Sequence, residues 1–215
     1  MGVSFNAGNI LSHISNENTK LGDLRNIAKA IKKDHALAME LWSDGRYLAR
    51  QLAILIMDKK LLSLPFIDML EADIMTHNEA ERIQLIDWLM ANQLSKDKHT
   101  IALMESWENS PSALRRRIFW YYQGRLRWVG QTPPPNTEYL ISRIESRIEN
   151  EVPIVQWAMN FTAAQIGIFL PEYRDRCIAL GENTGLYKDE VVAKNCTPNY
   201  LPKYIAIQVA KLFSR

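Results

Sequence analysis

At 215 residues the chain can bury a substantial core within one medium-sized domain. With 47% hydrophobic and 23% charged residues it is too apolar for disorder, and a net charge of +2 does not by itself announce a nucleic-acid partner. The two cysteines, Cys177 and Cys196, form no C-x-x-C pair, which argues against a disulfide framework or structural zinc and points to a reducing cytoplasm.

The opening, MGVSFNAGNILSHISNENTK, has neither a basic n-region nor a sustained apolar stretch, so no signal peptide is expected. Residues 1–19 read as a partly ordered extension with sparse apolar content, and residues 20–215 as one domain. Leu24, Ile27, Ala28 and Ile31 then recur at helical spacing, as do Leu48, Leu52, Leu55 and Ile56, and again Ile83, Ile86, Leu89 and Met90. Turn chemistry separates such segments at SDGR (43–46), SLP (63–65), ENSPS (108–112), QTPPPN (131–136) and NEVP (150–153). Pro111 and Pro153 suit the first turn of a helix, where a missing N–H is harmless. The longest apolar run, LAILIM (52–57), is far too short to span a bilayer, so no membrane partner is expected. No segment alternates as a strand would. The predicted class is all-α.

A repeat emerges from two segments. HALAMELWSDGRYLARQL (35–52) aligns with HTIALMESWENSPSALRRRI (99–118), each with a Met-Glu-x-Trp, a short polar turn and a helix bearing Leu and Arg. That alignment matches Arg50 with Arg116, 66 residues on, and leaves room for one helix pair between. A third helix–proline turn–helix lies in SRIESRIENEVPIVQWAMN (142–160). Periods of roughly 33 to 45 residues per pair belong to HEAT-like α-solenoids, giving a curved array of about five helix pairs. The alternative is a helical bundle without repeats.

PSALRRRIFWYYQGRLRW (111–128) packs five arginines and five aromatic residues into eighteen positions. On a helix, Leu114, Ile118, Tyr122 and Leu126 form a core stripe, and Arg116, Gln123 and Arg127 take the other side, flanked by Arg115 and Arg117. That divides the labour, with aromatics inside and arginines toward phosphate. Further on, VPIVQWAMNFTAAQIG (152–167) is apolar almost all round, with one small, polar line at Gln156, Asn160, Ala163 and Gly167. This line suits either a nucleic-acid backbone at close range or buried amides bonded to a neighbouring repeat. Trp157 and Phe161 share a face, as inter-repeat packing or as a platform for a nucleotide. His77 with Glu79 and Glu81 reads as a polar helix start with acids at the positive end of the dipole, not as a metal site, and no cofactor is expected.

The segments KLGDLRNIAKAIKKDHALAMELW (20–42), ARQLAILIMD (49–58), VQWAMNFTAAQIGI (155–168) and GLYKDEVVAKNCTPNYLPKYI (185–205) together resemble the bacterial DNA alkylation repair family of HEAT-repeat DNA glycosylases. The resemblance implies a concave groove holding double-stranded DNA and release of N3- or N7-alkylated purines. Such purines are cationic leaving groups, so the enzyme needs a carboxylate for the oxocarbenium-like sugar, aromatic faces for the cation and clamps on phosphate. It implies that Arg116 lines the groove and that Phe161 is a groove-facing aromatic. With DNA as the partner, Arg46, Arg50, Arg82, Arg115, Arg117, Arg125, Gln156 and Asn160 are expected to join Arg116 toward it, with Trp157 beside Phe161 against the substrate nucleotide. Catalytic members carry a Trp and then an Asp at the helix start corresponding to MTHNEAER (75–82). Here His77 or Asn78 stands for the tryptophan and Arg82 for the aspartate, whose charge is reversed. Glu79 and Glu81 are the neighbouring carboxylates that would take the catalytic role. If those arginines do not converge, a protein-binding scaffold is the other reading.

Overall fold

The computed structural model describes residues 6–14, 19–128 and 132–213. Parts of the N-terminal extension (1–5 and 15–18) and Gln131 of the predicted QTPPPN turn lie outside the described residues. Among the described residues there are twelve α-helices, short 3₁₀ turns and no strand. They are α1 Ala7–Ile14, α2 Leu21–Ile31, α3 His35–Ser43, α4 Tyr47–Ile56, α5 Leu64–Ile74 and α6 Glu79–Asn92. Then come α7 Lys98–Glu105, α8 Ala113–Arg125, α9 Thr137–Arg147, α10 Pro153–Phe169, α11 Arg174–Thr184 and α12 Leu201–Phe213. Two compact units divide the chain, Met1–Glu105 and Ser106–Arg215.

Local chemistry sets most boundaries. Asp34, Ser63, Asn78 and Ser112 cap α3, α5, α6 and α8, each side chain accepting from a backbone N–H three residues on. Pro153 opens α10 as expected. Pro111 instead lies one residue before the cap Ser112, outside α8.

In the first unit, α4 is the centre. Ala49, Leu52, Ala53, Ile54 and Ile56 are fully buried, because α2, α3 and α6 all pack on this helix. Ile10 and Ile14 of α1 are buried too, against α3 and α4. In the second unit the centre is α10, which carries no charged residue over its 17 positions. A helix apolar on every side has to be surrounded. Helices α8, α9, α11 and α12 surround it. Its C-terminal carbonyls are capped by a cation, the Arg174 guanidinium donating to Gly167 (2.8 Å) and Ile168 (3.1 Å). Consecutive helices pack in pairs, α3 with α4, α5 with α6, α9 with α10 and α11 with α12, as the repeat reading expected.

The repeat has a physical signature, with a corrected register. The Arg50 guanidinium lies 5.1 Å from the Trp42 ring, and the Arg115 guanidinium lies 5.2 Å from the Trp107 ring. In both cases the arginine follows the tryptophan by eight positions. Matching Arg50 with Arg116 leaves out which side chain reaches back over the indole. Arg115 does.

Two glycines permit close helix contacts. A Cβ on Gly124 of α8 would stand 2.7 Å from the Phe161 ring of α10. One on Gly181 of α11 would stand 2.6 Å from Pro202 Cδ and 2.7 Å from Leu201 Cβ, at the start of α12. A proline ring and a Cβ cannot swing away. Gly181→Ala is therefore expected to lower stability by about 1–3 kcal/mol through overpacking, against about 1 kcal/mol gained in helix propensity, so the urea midpoint should fall. Cys177 gives an independent check. Burial, with a smaller effect of Glu145, pushes its thiol up to about 12, whereas Cys196 is exposed. Iodoacetamide at pH 8 should label Cys196 alone in the native protein and both cysteines in urea. The native state holds the Cys177 proton to higher pH than the unfolded chain does. Its burial thus costs nothing below about pH 8.5, and stability declines from there toward pH 12.

Candidate nucleic-acid interface

The residues predicted to meet DNA fall in both units. In the first, Arg46 follows the α3–α4 turn and is held by Asp44 (Nε to Oδ1, 2.6 Å; Nη2 to Oδ2, 3.0 Å). The hydrogen bond raises the arginine pKa and lowers that of the aspartate. Arg50 is buried, at 7% exposure. Its guanidinium donates to the Asp73 carbonyl near the end of α5 and to Thr76 (3.3 Å), while Trp42 Nε1 donates to Asp73 Oδ2 (2.7 Å). The group ties α3, α4 and α5 together.

At the start of α6, Glu79 is exposed in the first turn. His77 Nδ1 bonds Glu81 Oε2 at 2.8 Å, and Arg82 Nε donates to the His77 carbonyl. The His77 side chain is only 8% exposed, packs edge-on to Tyr47 at 6.4 Å and leaves Nε2 buried without a partner among the described residues. Tyr47 donates to Gln84 and accepts from Gln51 Nε2 (2.8 Å), and burial, with Glu81 nearby, raises its pKa. Glu81 is thus engaged by a histidine, and Glu79 is the carboxylate that faces solvent.

The second unit assembles an aromatic and cationic cluster. Trp157 and Phe161, four residues apart on α10, stack at 5.5 Å with planes 13° apart. Tyr121 of α8 meets both edge-on, at 5.6 and 5.0 Å, and Trp128 lies 6.4 Å from Phe161. Two guanidiniums flank the rings. Arg117 sits 4.5 Å from Trp157 and 6.0 Å from Tyr121, and Arg125 sits 5.8 Å from both Tyr121 and Trp128. The two arginines differ in reach. Arg117 is 4% exposed and donates to the Ile154 carbonyl (2.8 Å), whereas Arg125 is half-buried and pairs with no carboxylate among the described residues.

Arg116 points elsewhere, onto Glu151 (Nη2 to Oε2, 3.0 Å) and the Ser110 carbonyl (2.8 Å). It lines a polar notch of 460 Å³ with Asn109, Ser146 and Arg147. Gln156 donates to the Ile148 carbonyl (2.9 Å), and buried Asn160 to the Asn199 carbonyl (2.8 Å). The small line along α10 meets protein, since a Cβ on Gly167 would stand 2.7 Å from Ile205 and 3.0 Å from Cys177. Of the two readings left open for this line, the buried-amide reading describes Asn160.

The expected division between inner aromatics and outer arginines needs correcting. Phe119, Trp120 and Tyr122 are buried as expected, but so are Arg117 and Arg127. Arg127, 1% exposed, donates to the Gln123 carbonyl (2.9 Å), Thr137 Oγ1 (3.1 Å) and Asn136, and burial pushes its pKa down to about 10. Helical projection failed here because Arg127 follows the last turn of α8, where the chain no longer keeps the helical angle. Trp128, 47% exposed, was the surface aromatic that projection missed. Its one legible signal was a tryptophan just past a helix end.

Among the described residues no three His, Cys, Asp or Glu side chains gather as metal ligands would, and no helix is long and apolar enough to cross a membrane. Comparison with known proteins adds three findings. A search of curated sequences returns no match. Among solved structures, the chain resembles a member of a family described as related to the HEAT-like repeat DNA glycosylases with affinity for branched DNA structures. The TM-score is 0.73 at 19% identity, covering 96% of this chain and 95% of that one. At that identity the likeness establishes the fold, an all-α array of the HEAT-like glycosylase type. The family model for DNA alkylation repair enzymes matches residues 16–179, and with three-quarters of its length inside that model the chain belongs to the DNA alkylation repair enzyme family.

Proposed function

We propose that this protein binds double-stranded DNA at irregular sites, branched or alkylated, and that base excision is at most a slow activity. In this reading residues 20–215 act as one DNA-binding domain, and the partner is DNA. The observation that carries it is the cluster on the second unit, where half-buried Tyr121, Trp157 and Phe161 are flanked by an arginine, Arg125, without a carboxylate partner among the described residues. Aromatic faces with an uncompensated guanidinium suit distorted nucleic acid, whose bases and phosphates are both accessible. The branched-DNA affinity of the structurally similar family supports the same reading.

Chemistry at the α6 start argues for slow excision. An oxocarbenium-like sugar needs an adjacent negative charge, and Arg82 has the wrong sign. Glu81 already serves His77 at 2.8 Å, which leaves Glu79 to supply the charge. Each 1.36 kcal/mol of lost stabilisation is about tenfold in rate, so a few kcal/mol leaves little above spontaneous depurination.

A second reading, a HEAT-type scaffold for a protein partner, draws on internal neutralisation. Arg46, Arg116, Arg143 and Arg176 are all paired with acids, which weakens the field available to phosphate.

Two measurements test the proposal. Binding to a labelled four-way junction and to plain duplex should weaken steeply with salt, with a log–log slope of about −0.9 per phosphate neutralised, and Arg125→Ala should reduce that slope by about 1. Salt-insensitive binding, or none, favours the scaffold. Incubation with DNA bearing N7-methylguanine should release little base. Robust release that vanishes in Glu79→Gln or Glu81→Gln would overturn the slow-excision part and make that carboxylate catalytic.

A further inference from the structure

Helices α10 and α12 enclose a slot that adjoins the aromatic cluster and shares Trp128 and Phe161 with it. It measures 200 Å³, and its walls include Trp128, Phe161, Phe169, Tyr204, Gln165 and Lys211. The spacing explains the geometry. Phe161, Gln165 and Phe169 follow each other every fourth residue on α10, so they share a face, and Tyr204 and Lys211 come from α12 seven residues apart. Trp128 closes the slot from the residues after α8. Pockets for drug-sized ligands run about 300–1,000 Å³, so this one has room for a single flat ring system.

The polar group in the slot is the informative one. Gln165 is only 5% exposed and lines the slot, and its amide makes no hydrogen bond among the described residues. The amide is not sealed in the core, so its donor and acceptor are presented to whatever enters the slot. Flat aromatic walls with one side-by-side donor and acceptor match a purine edge. A glutamine amide pairs in this bidentate way with the N6 and N7 atoms of adenine. The Arg125 guanidinium, 5.8 Å from Trp128, supplies positive charge beside the slot for a flanking phosphate.

We propose that this slot receives one unpaired nucleobase, preferentially adenine, from irregular DNA. Trp128 and Tyr204 stack on its faces, and Gln165 reads its edge. The inference rests on the DNA-binding reading above and adds to it a site for a base outside the helix. It also explains why irregular DNA is preferred, since an intact duplex offers no free base.

The test compares three labelled duplexes by fluorescence anisotropy, one fully paired, one with a single bulged adenine and one with a bulged abasic nucleotide. The abasic bulge keeps the backbone distortion and removes the base. The bulged adenine should bind on the order of tenfold more tightly than the abasic bulge, the scale of one stacked base. Trp128→Ala and Gln165→Leu should each collapse that ratio toward one. The tryptophan is half-exposed and the leucine is an apolar near-isostere, so both variants should keep the native circular dichroism and urea midpoint. Equal binding of the adenine and abasic bulges by the native protein would overturn the slot while leaving DNA binding intact. So would a ratio unmoved by either variant. Failure to bind any of the three DNAs would overturn both this proposal and the reading on which it rests.

Discussion

Helix α10 imposes the constraint from which the second unit follows. Seventeen residues without a charge leave no polar face to turn to water, so four helices cover most of it. Its C-terminal end is then a difficult place, where the carbonyls of Gly167 and Ile168 are met by Arg174. Arg117 donates to the Ile154 carbonyl in the first turn and so ties α8 to α10. Arginine suits both contacts, since its planar fork reaches carbonyls while its stem packs against apolar surface. The aromatic cluster is a by-product of this arrangement. Tyr121 reaches both rings of α10 because α8 approaches closely at Gly124, where any larger residue would meet Phe161.

The same residue type therefore does two jobs within fifteen positions. Arg117 and Arg127 hold helices together, Arg116 is held by an acid, and Arg125 keeps its charge without a carboxylate among the described residues. A count of arginines overstates the charge offered at the surface, because carboxylate partners and burial remove much of it. What remains is local, and a net charge of +2 agrees with a protein that relies on geometry more than on a broad positive field.

The first unit shows the complementary case. The α6 start builds a compact polar knot from His77, Glu81, Arg82 and Tyr47. Its members satisfy one another, with the His77 Nε2 left over. Residues that complete each other's hydrogen bonds inside a helix cap are positioned for stability.

The sequence by itself determined the helical class and the tandem pairing, because each rests on short-range periodicity and turn chemistry. Leu48 to Ile56 and Pro153 announce their roles within one or two helical turns. It also determined the family, since several segments in order carry that signal. The tertiary structure alone decided which arginines face solvent. Arg115 rather than Arg116 repeats the Trp–Arg contact because an indole eight residues earlier captures it, and Arg127 turns inward because α8 has ended before it. Gln165 reads as one more polar residue on an apolar helix until α12 and Trp128 close around it. Those outcomes depend on groups outside the helix that carries each residue, and a helical wheel holds no information about them.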